Sequence, residues 1–296
     1  MRVLLTGANG QLGHCVQDLF IKSEYELIAL GHAALDIGDA DAVSSIIKAL
    51  RPQAIINAAA YTAVDKAETE PELAAHINTL GPSNLARAAE EIDALLIHIS
   101  TDYVFDGRKM TPYVETDATN PQSVYGKTKL DGELLVQRLC ERHIILRTTW
   151  VFSEYGNNFM KTMLRLGRER DSLSVVADQI GCPTYAGDIA IACRALCEAQ
   201  SGDRIHHGLY HYGGDHDLSW HDFSVEIFRK AVELGVLARQ PQLLKISSNQ
   251  YPSLAERPAY SVLDSTRFVR HYSVPASNWK NALTQQLQKI EQQEIF

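Results

Sequence analysis

The chain has 296 residues, 45% of them hydrophobic and 22% charged, a balance that fits a globular protein and excludes a disordered or collagen-like one. Its 28 basic and 36 acidic side chains leave a net charge of -8, which argues against a nucleic-acid surface built on phosphate neutralisation. No apolar run approaches the roughly 20 residues that cross a bilayer, and the opening Met1-Arg2-Val3-Leu4-Leu5-Thr6-Gly7 turns glycine-rich too soon for a signal peptide, so a cytoplasmic protein without membrane or nucleic-acid partners is expected.

In chain order, the first half alternates short β-branched or leucine-rich runs with longer helical stretches, the pattern of a doubly wound parallel sheet. Strands are predicted over 3–6, 27–30, 54–57, 95–100 and 144–148, and helices over 12–21, 41–50, 82–91 and 124–141. The strands lack polar alternation, as expected where helices cover both faces. Beyond Trp150 the regularity falls: a Gly-Asn-Asn turn at 156–158, a helix through 163–168, a strand over 173–176, a helix over 186–200, a short strand over 208–212, and helices over 220–234 and 278–292. These pieces read as too scattered for a core of their own. They suggest a smaller lobe over 151–296, with segments that return to the main sheet and a ligand cleft between the lobes.

The first chemical motif is Gly7-Ala8-Asn9-Gly10-Gln11-Leu12-Gly13, placed directly after the first strand and opening the first helix. Its glycines permit an unusual turn, let the backbone approach a pyrophosphate, and allow close helix packing. The helix N-terminus adds free N–H groups and a positive dipole end. The first 150 residues therefore read as an NAD(P)-binding, Rossmann-type domain. A carboxylate that bonds the adenosine ribose is expected about 20 residues further on, but Gly31-His32 stands there, and no arginine nearby favours a 2′-phosphate. Asp36, one short loop later, can hold the adenine or simply cap a helix.

The second motif is Tyr125-Gly126-Lys127-Thr128-Lys129, whose spacing of four puts Tyr125 and Lys129 on one helical face. A phenol titrating near 10 is a poor acid or base at neutral pH unless a cation stabilises its anion. Lys129 is placed to do so, although this spacing is common on ordinary helices. Thr101, at the exit of the fourth strand, can share a hydrogen bond with the phenol or with a substrate carbonyl, or can bond local backbone instead. The five cysteines, Cys15, Cys140, Cys182, Cys193 and Cys197, include no CxxC pair and read as reduced thiols. His206, His207, His211, His216 and His221 have no metal-ligand spacing and read as structural or surface residues.

Together with the glycine turn, the segments Asn57-Ala58-Ala59-Ala60-Tyr61-Thr62-Ala63-Val64-Asp65-Lys66-Ala67-Glu68, Ser100-Thr101-Asp102-Tyr103-Val104-Phe105, the Tyr125 motif and Arg147-Thr148-Thr149-Trp150-Val151 resemble the dTDP-4-dehydrorhamnose reductases. This is a family of extended-type short-chain dehydrogenase/reductases. The resemblance implies reduction of the C4 ketone of dTDP-4-dehydro-β-L-rhamnose by NADPH or NADH, with a dTDP-sugar as the small-molecule partner. It implies Tyr125 as proton donor, Lys129 as the cation that lowers the phenol's pKa and binds the nicotinamide ribose, and Thr101 bonded to the reacting oxygen. It places Gly7, Gly10, Gln11, Leu12 and Gly13 at the pyrophosphate, Asp36 and Ile37 near the adenine, and Ala60, Tyr61 and Thr62 along the exit of the third strand. Thr101, Asp102 and Trp150 fall on the sugar side, and Arg257 is a candidate for the diphosphate because a guanidinium can grip phosphate bidentately.

Two departures matter. Gly31 replaces an aspartate of many members, which permits NADPH. Some members bridge a dimer with Mg²⁺ through glutamates, one of them early in the first helix, but that stretch here reads His14-Cys15-Val16-Gln17. No structural metal is expected, and a monomer or weak homodimer is. Among relatives, the dehydratases follow their threonine with adjacent Asp and Glu; Tyr103 follows Asp102 here, which removes the base for elimination. An epimerase or a nucleotide-binding regulatory subunit of the same fold remains the competing reading.

Overall fold

The computed structural model describes residues 1–202 and 204–292. The first half runs β1 (Arg2–Thr6), α1 (Gln11–Phe20), β2 (Glu26–Leu30), α2 (Ala40–Leu50), β3 (Ala54–Asn57), α3 (Val64–Ala67), α4 (Pro71–Ala75), α5 (Gly81–Glu91), β4 (Leu95–Thr101), α6 (Val124–Leu139) and β5 (His143–Thr148). The second half adds β6 (Val151–Phe152), α7 (Phe159–Glu169), β7 (Ser172–Val176), β8 (Ile180–Gly181), β9 (Thr184–Tyr185), α8 (Ala186–Ser201), β10 (Gly208–His211), β11 (Leu218–Ser219), α9 (Trp220–Glu233), β12 (Gln242–Ile246), α10 (Thr266–Tyr272) and α11 (Trp279–Gln292).

The main sheet is parallel throughout, in the order β10-β5-β4-β3-β1-β2. Successive residues of its inner strands feed opposite faces. Val3, Leu5, Ile56 and Ile97 pack under α1 and α8, while Leu4, Ile55, Leu96 and Ile145 pack against α2, α5 and α6. Each such fully buried side chain is worth ~1.5–3 kcal/mol, which is why these strands carry no polar alternation. The strand order reverses between β1 and β3, and that switch point opens at the carboxyl ends of the strands, where ligands bind in open α/β sheets.

The second half does have a core of its own. Phe152, Met160, Leu164, Leu173, Val175, Phe223, Ile227, Phe228, Trp279, Leu283 and Leu287 bury together between α7, β7, α9 and α11. It escaped the sequence reading because its apolar faces come from segments up to about 130 residues apart, too distant for any periodicity to reveal. Three described elements of this half return to the sheet: β10 pairs with β5, α8 packs on α1, and α10 packs on β10 and α8.

Three local differences have physical causes. Helix α6 stops at Leu139, short of the predicted 141, because Cys140 is extended and buried, with the chain turning into β5. Strand β12 pairs with β7 but is mostly exposed, so its apolar run is weak. The helix predicted over 82–91 is continuous back to Pro71 through a π-helical turn, His76–Leu80. Pro82 has no N–H to give to the carbonyl four residues earlier, and the ladder loosens so that the Gly81 N–H bonds His76 instead.

Candidate active site

The glycine turn is built by exclusion of side chains. Gly7 has φ +71, and a Cβ there would lie 2.5 Å from the Ala59 nitrogen. A Cβ on Gly13 would lie 2.3 Å from the Gly7 carbonyl oxygen, so the helix sits directly against the turn. Gly10 is the extended N-cap of α1 and offers no side chain to its first-turn N–H groups. A Cβ at Gly10 meets only the Gly7 oxygen, at 3.4 Å, which leaves the approach to those N–H groups clear. This is the cradle a pyrophosphate requires, and the residues present fit a dinucleotide.

The other expected cofactor residues ring the same strand ends. Asp36 accepts the Gly38 N–H at 2.9 Å, and that bond, aided by His76, holds its carboxyl below the usual range. Ile37 is buried, and its carbonyl accepts from Asn84. Beyond β3, the Tyr61 backbone is clamped on both sides by one amide: Asn78 Oδ1 accepts its N–H at 2.9 Å and Asn78 Nδ2 donates to its carbonyl at 3.1 Å. Asn78 comes from the π-helical turn and also reaches Thr128 Oγ1 at 3.3 Å, so it joins the cofactor loop to the Tyr125 helix. Ala60 and Thr62 flank this clamp. The place where an aspartate would follow β2 is taken by Asn9, whose Nδ2 lies 2.6 Å from a Cβ built on Gly31.

At the end of β4 the structure brings Thr101, Asp102 and Tyr125 together, with Lys129 one turn along the same buried helix face and turned to the Ile99 carbonyl, so the expected lowering of the phenol by Lys129 is not seen. Ser123 caps α6 through the Gly126 N–H at 3.1 Å, and Glu68 of the 64–68 segment accepts the Val124 N–H at 2.8 Å. The capped helix buries Tyr125 and Lys129 on one face. Lys129 Nζ donates to the Ile99 carbonyl at 2.7 Å. Burial lowers the ammonium to about 8, opposed by Glu133. The phenol stands higher than the spacing led one to expect. Burial pushes Tyr125 up to about 12, the Thr101 hydroxyl pulls it down and Asp102 pushes it up. Desolvation outweighs the single hydrogen bond, so the phenol is held protonated at neutral pH.

Asp102 is fully engaged inside the protein. Its oxygens accept from Thr101 Oγ1 at 3.0 Å and Thr149 Oγ1 at 2.8 Å, and burial raises it to about 6. Thr101 also accepts the Tyr103 N–H, so the local backbone role and the role beside the phenol coexist. Trp150 follows Thr149 in a left-handed conformation, φ +44, uncommon for a bulky residue and of the kind held at functional sites. Its indole stacks on Trp220 at 3.4 Å and 4°, and a Cβ on Gly181 would press into it at 2.4 Å.

A cavity of ≈ 1140 Å³ lies in the second lobe, lined among others by Phe159, Met163, Gln179, Trp220 and Arg257. The Tyr125 cluster is not in its wall; the Trp150–Trp220 stack connects the two. Arg257 is held within the protein. It bonds Asp65 at 2.8 Å, and Asp65 also accepts from Ser253 and Ala255. The 64–68 segment thus ties the cavity wall with Asp65 and the start of α6 with Glu68. Sequence reasoning missed Gln11's clasp, in which Ser153 Oγ and Asn158 Nδ2 donate to Gln11 Oε1 at 3.0 and 2.9 Å, as well as Asn78 and Trp220. All three depend on long-range contacts that spacing cannot show. The five cysteines are free and buried, as expected.

A doubly wound sheet with a glycine-rich first turn and a buried Tyr–Lys pair on the helix after β4 defines an extended short-chain dehydrogenase/reductase. The family model described as RmlD substrate binding domain matches residues 1–292, and the chain belongs to that family. It is 48% identical over 284 residues to a dTDP-4-dehydrorhamnose reductase of Aggregatibacter actinomycetemcomitans, covering 95% of this chain and 97% of that protein. The solved dTDP-4-dehydrorhamnose reductase of Clostridium acetobutylicum superposes with a TM-score of 0.91 at 39% identity, covering 98% of this chain and 100% of that one. That of Bacillus anthracis, solved in complex with NADP, gives 0.90 at 37% identity, covering 97% and 99%.

Proposed function

We propose that this protein reduces the C4 ketone of dTDP-4-dehydro-β-L-rhamnose to dTDP-β-L-rhamnose, the last step of dTDP-L-rhamnose biosynthesis, using NADPH or NADH. The observation that carries the reading is the buried Tyr125–Lys129 pair beside Thr101, in a chain that matches reductases of this name along nearly its full length. In this reading residues 1–150 hold the dinucleotide and 151–296 mainly hold the sugar nucleotide. Among the described residues no helix is long and apolar enough to cross a membrane. We place the protein in the cytoplasm as a monomer or weak homodimer.

The bound cofactor supplies the hydride. Gly7, Gly10, Gln11, Leu12 and Gly13 bind the pyrophosphate, Asp36 and Ile37 lie by the adenine, and Ala60, Tyr61 and Thr62 line the path between. Tyr125 keeps its proton until negative charge builds on the C4 oxygen, then donates it. An alkoxide is a far stronger base than a phenolate, so the transfer runs downhill even from a phenol raised to about 12. Lys129 stabilises the phenolate left behind, and Thr101 steadies it by turning its one hydroxyl hydrogen from Asp102 to the phenolate oxygen. Asp102 orients Thr101, Trp150 offers the sugar an aromatic wall, and Arg257, fixed by Asp65, grips the diphosphate.

The test is incubation with enzymatically made dTDP-4-dehydro-β-L-rhamnose and either dinucleotide, with the product identified by NMR. One dTDP-β-L-rhamnose per reduced cofactor consumed is expected. Interconversion of sugars without net oxidation would replace this reading with an epimerase, and binding without any chemistry would replace it with a regulatory subunit.

A further inference from the structure

The buried face of α6 does not end at Lys129. Tyr125, Lys129 and Glu133 follow one another at successive turns, and the last two are only 2% and 1% exposed. Glu133 is met by Arg147 of β5, which is 3% exposed: Arg147 Nε donates to Glu133 Oε1 at 2.9 Å and Nη2 to Oε2 at 2.6 Å. Ser100 of β4 donates to Oε1 at 2.5 Å. Ser100 directly follows Ile99, whose carbonyl holds Lys129, and directly precedes Thr101. One strand end therefore positions the carboxylate, the ammonium and the catalytic hydroxyl. A buried ion pair is an expensive way to pack a helix on a sheet, since apolar residues of similar volume usually serve as well or better. Its retention one turn behind Lys129 calls for a role.

We propose that Glu133 is a positioning residue of the reductase: anchored by Arg147 and Ser100, it keeps the Lys129 side chain charged and directed at the Ile99 carbonyl within a site dry enough to strip its proton. The inference rests on Lys129 acting with Tyr125 as proposed above. Of the surrounding groups, Lys129 is the one that changes charge on the alkaline side of neutrality; Asp102, raised by burial to about 6, changes charge on the acid side and is ionised throughout the basic limb. Tyr125 is raised to about 12, and His98 of β4, buried and lowered by Lys129, stays neutral. His211 of β10 lies against Arg147 with Nε2 at 3.5 Å from Nη1, and burial lowers it to about 3. Its Nδ1 bonds the Tyr113 carbonyl and its N–H bonds Glu115, a half-buried carboxyl raised by burial. Lys129 itself stands at about 8, where burial and Glu133 oppose each other. The sign follows. Without the Glu133 charge, burial acts unopposed and Lys129 loses its proton at lower pH.

The test is the pH dependence of kcat and, separately, of NADPH affinity, for the wild type, Glu133→Asp, Glu133→Gln and the double variant Glu133→Gln with Arg147→Gln. The wild type should lose activity on a basic limb near pH 8. Glu133→Gln should move that limb down by about one unit or more, a loss of about tenfold at a fixed alkaline pH, and recover near-normal kcat at lower pH. Glu133→Asp should stay near the wild type. The double variant leaves no unpaired guanidinium, so it should regain much of the melting temperature lost in the single variant while its limb stays displaced. A purely structural role predicts the reverse: kcat lowered equally at every pH and restored along with the melting temperature. That result in either folded variant, or an unmoved limb, overturns the proposal. The affinity profile needs no turnover and so reports on Glu133 even if the reductase reading fails, whereas absence of wild-type turnover would count against that reading alone.

Discussion

The two lobes of this protein organise their sites in opposite ways. In the sheet lobe each proposed unit starts from one contiguous stretch, 7–13 for the phosphate cradle and 125–129 for the reacting pair on a single helix face, which Asn78 and Thr101 then complete. In the second lobe the proposed site residues are scattered along the chain. Trp150, Gly181 and Trp220 make one aromatic wall, and Arg257 is fixed by Asp65, 192 residues away. A site that uses backbone turns and helix periodicity leaves local marks, and one that recognises an extended ligand through side chains does not.

Substitutions that strike one lobe and spare the other sharpen this contrast. Gly13→Ala should have the largest effect, because its methyl would meet backbone at 2.3 Å and not a movable side chain. A displacement of that kind should weaken dinucleotide binding by roughly a hundredfold and lower stability by about 1–3 kcal/mol, as read by fluorescence titration and thermal melting. Equal affinity would mean that the turn does not hold the pyrophosphate. Arg257→Gln strikes the other lobe. It should raise KM for the sugar nucleotide roughly 10- to 100-fold, the range expected for a lost charged hydrogen bond, and leave dinucleotide affinity unchanged. If both constants moved together, the two lobes would not divide the ligands as proposed.

The smallest effect concerns cofactor choice. Gly31→Asp must displace the Asn9 side chain, a flexible group, and puts a carboxylate at the end of β2, from which, in the proposed binding mode, it would face the adenosine ribose. The NADPH-to-NADH ratio of kcat/KM should fall roughly fivefold, the size of a screened charge pair of about 1 kcal/mol. An unchanged ratio would show that the loop after β2 points away from the ribose.

Much of the sheet lobe could be read from sequence because strand, turn and helix succeed one another within about 30 residues. Glu133 was readable in the same way, as the next member of the series after Tyr125 and Lys129, but a glutamate on a helix is ordinarily exposed. The 64–68 stretch, part of the 57–68 segment that carries the family resemblance, has no purpose evident from sequence. The structure supplies one, since Asp65 and Glu68 bridge two distant elements. The π-helical turn followed from Pro82 only in retrospect, and Asn78 lies within that turn. The core of the second lobe was invisible because α7, α9 and α11 each carry only part of it.

The central claim is that Tyr125 delivers the proton in a site where cofactor and substrate bind independently of it. The direct measurement is oxidation of NADPH by the wild type and by Tyr125→Phe, with dTDP-4-dehydro-β-L-rhamnose as substrate and the affinity for each ligand measured in the same preparations. The account predicts that the variant loses turnover by about 10²- to 10⁴-fold, the usual contribution of a positioned acid, with both affinities near those of the wild type. A variant that still oxidises NADPH at close to the normal rate would contradict it.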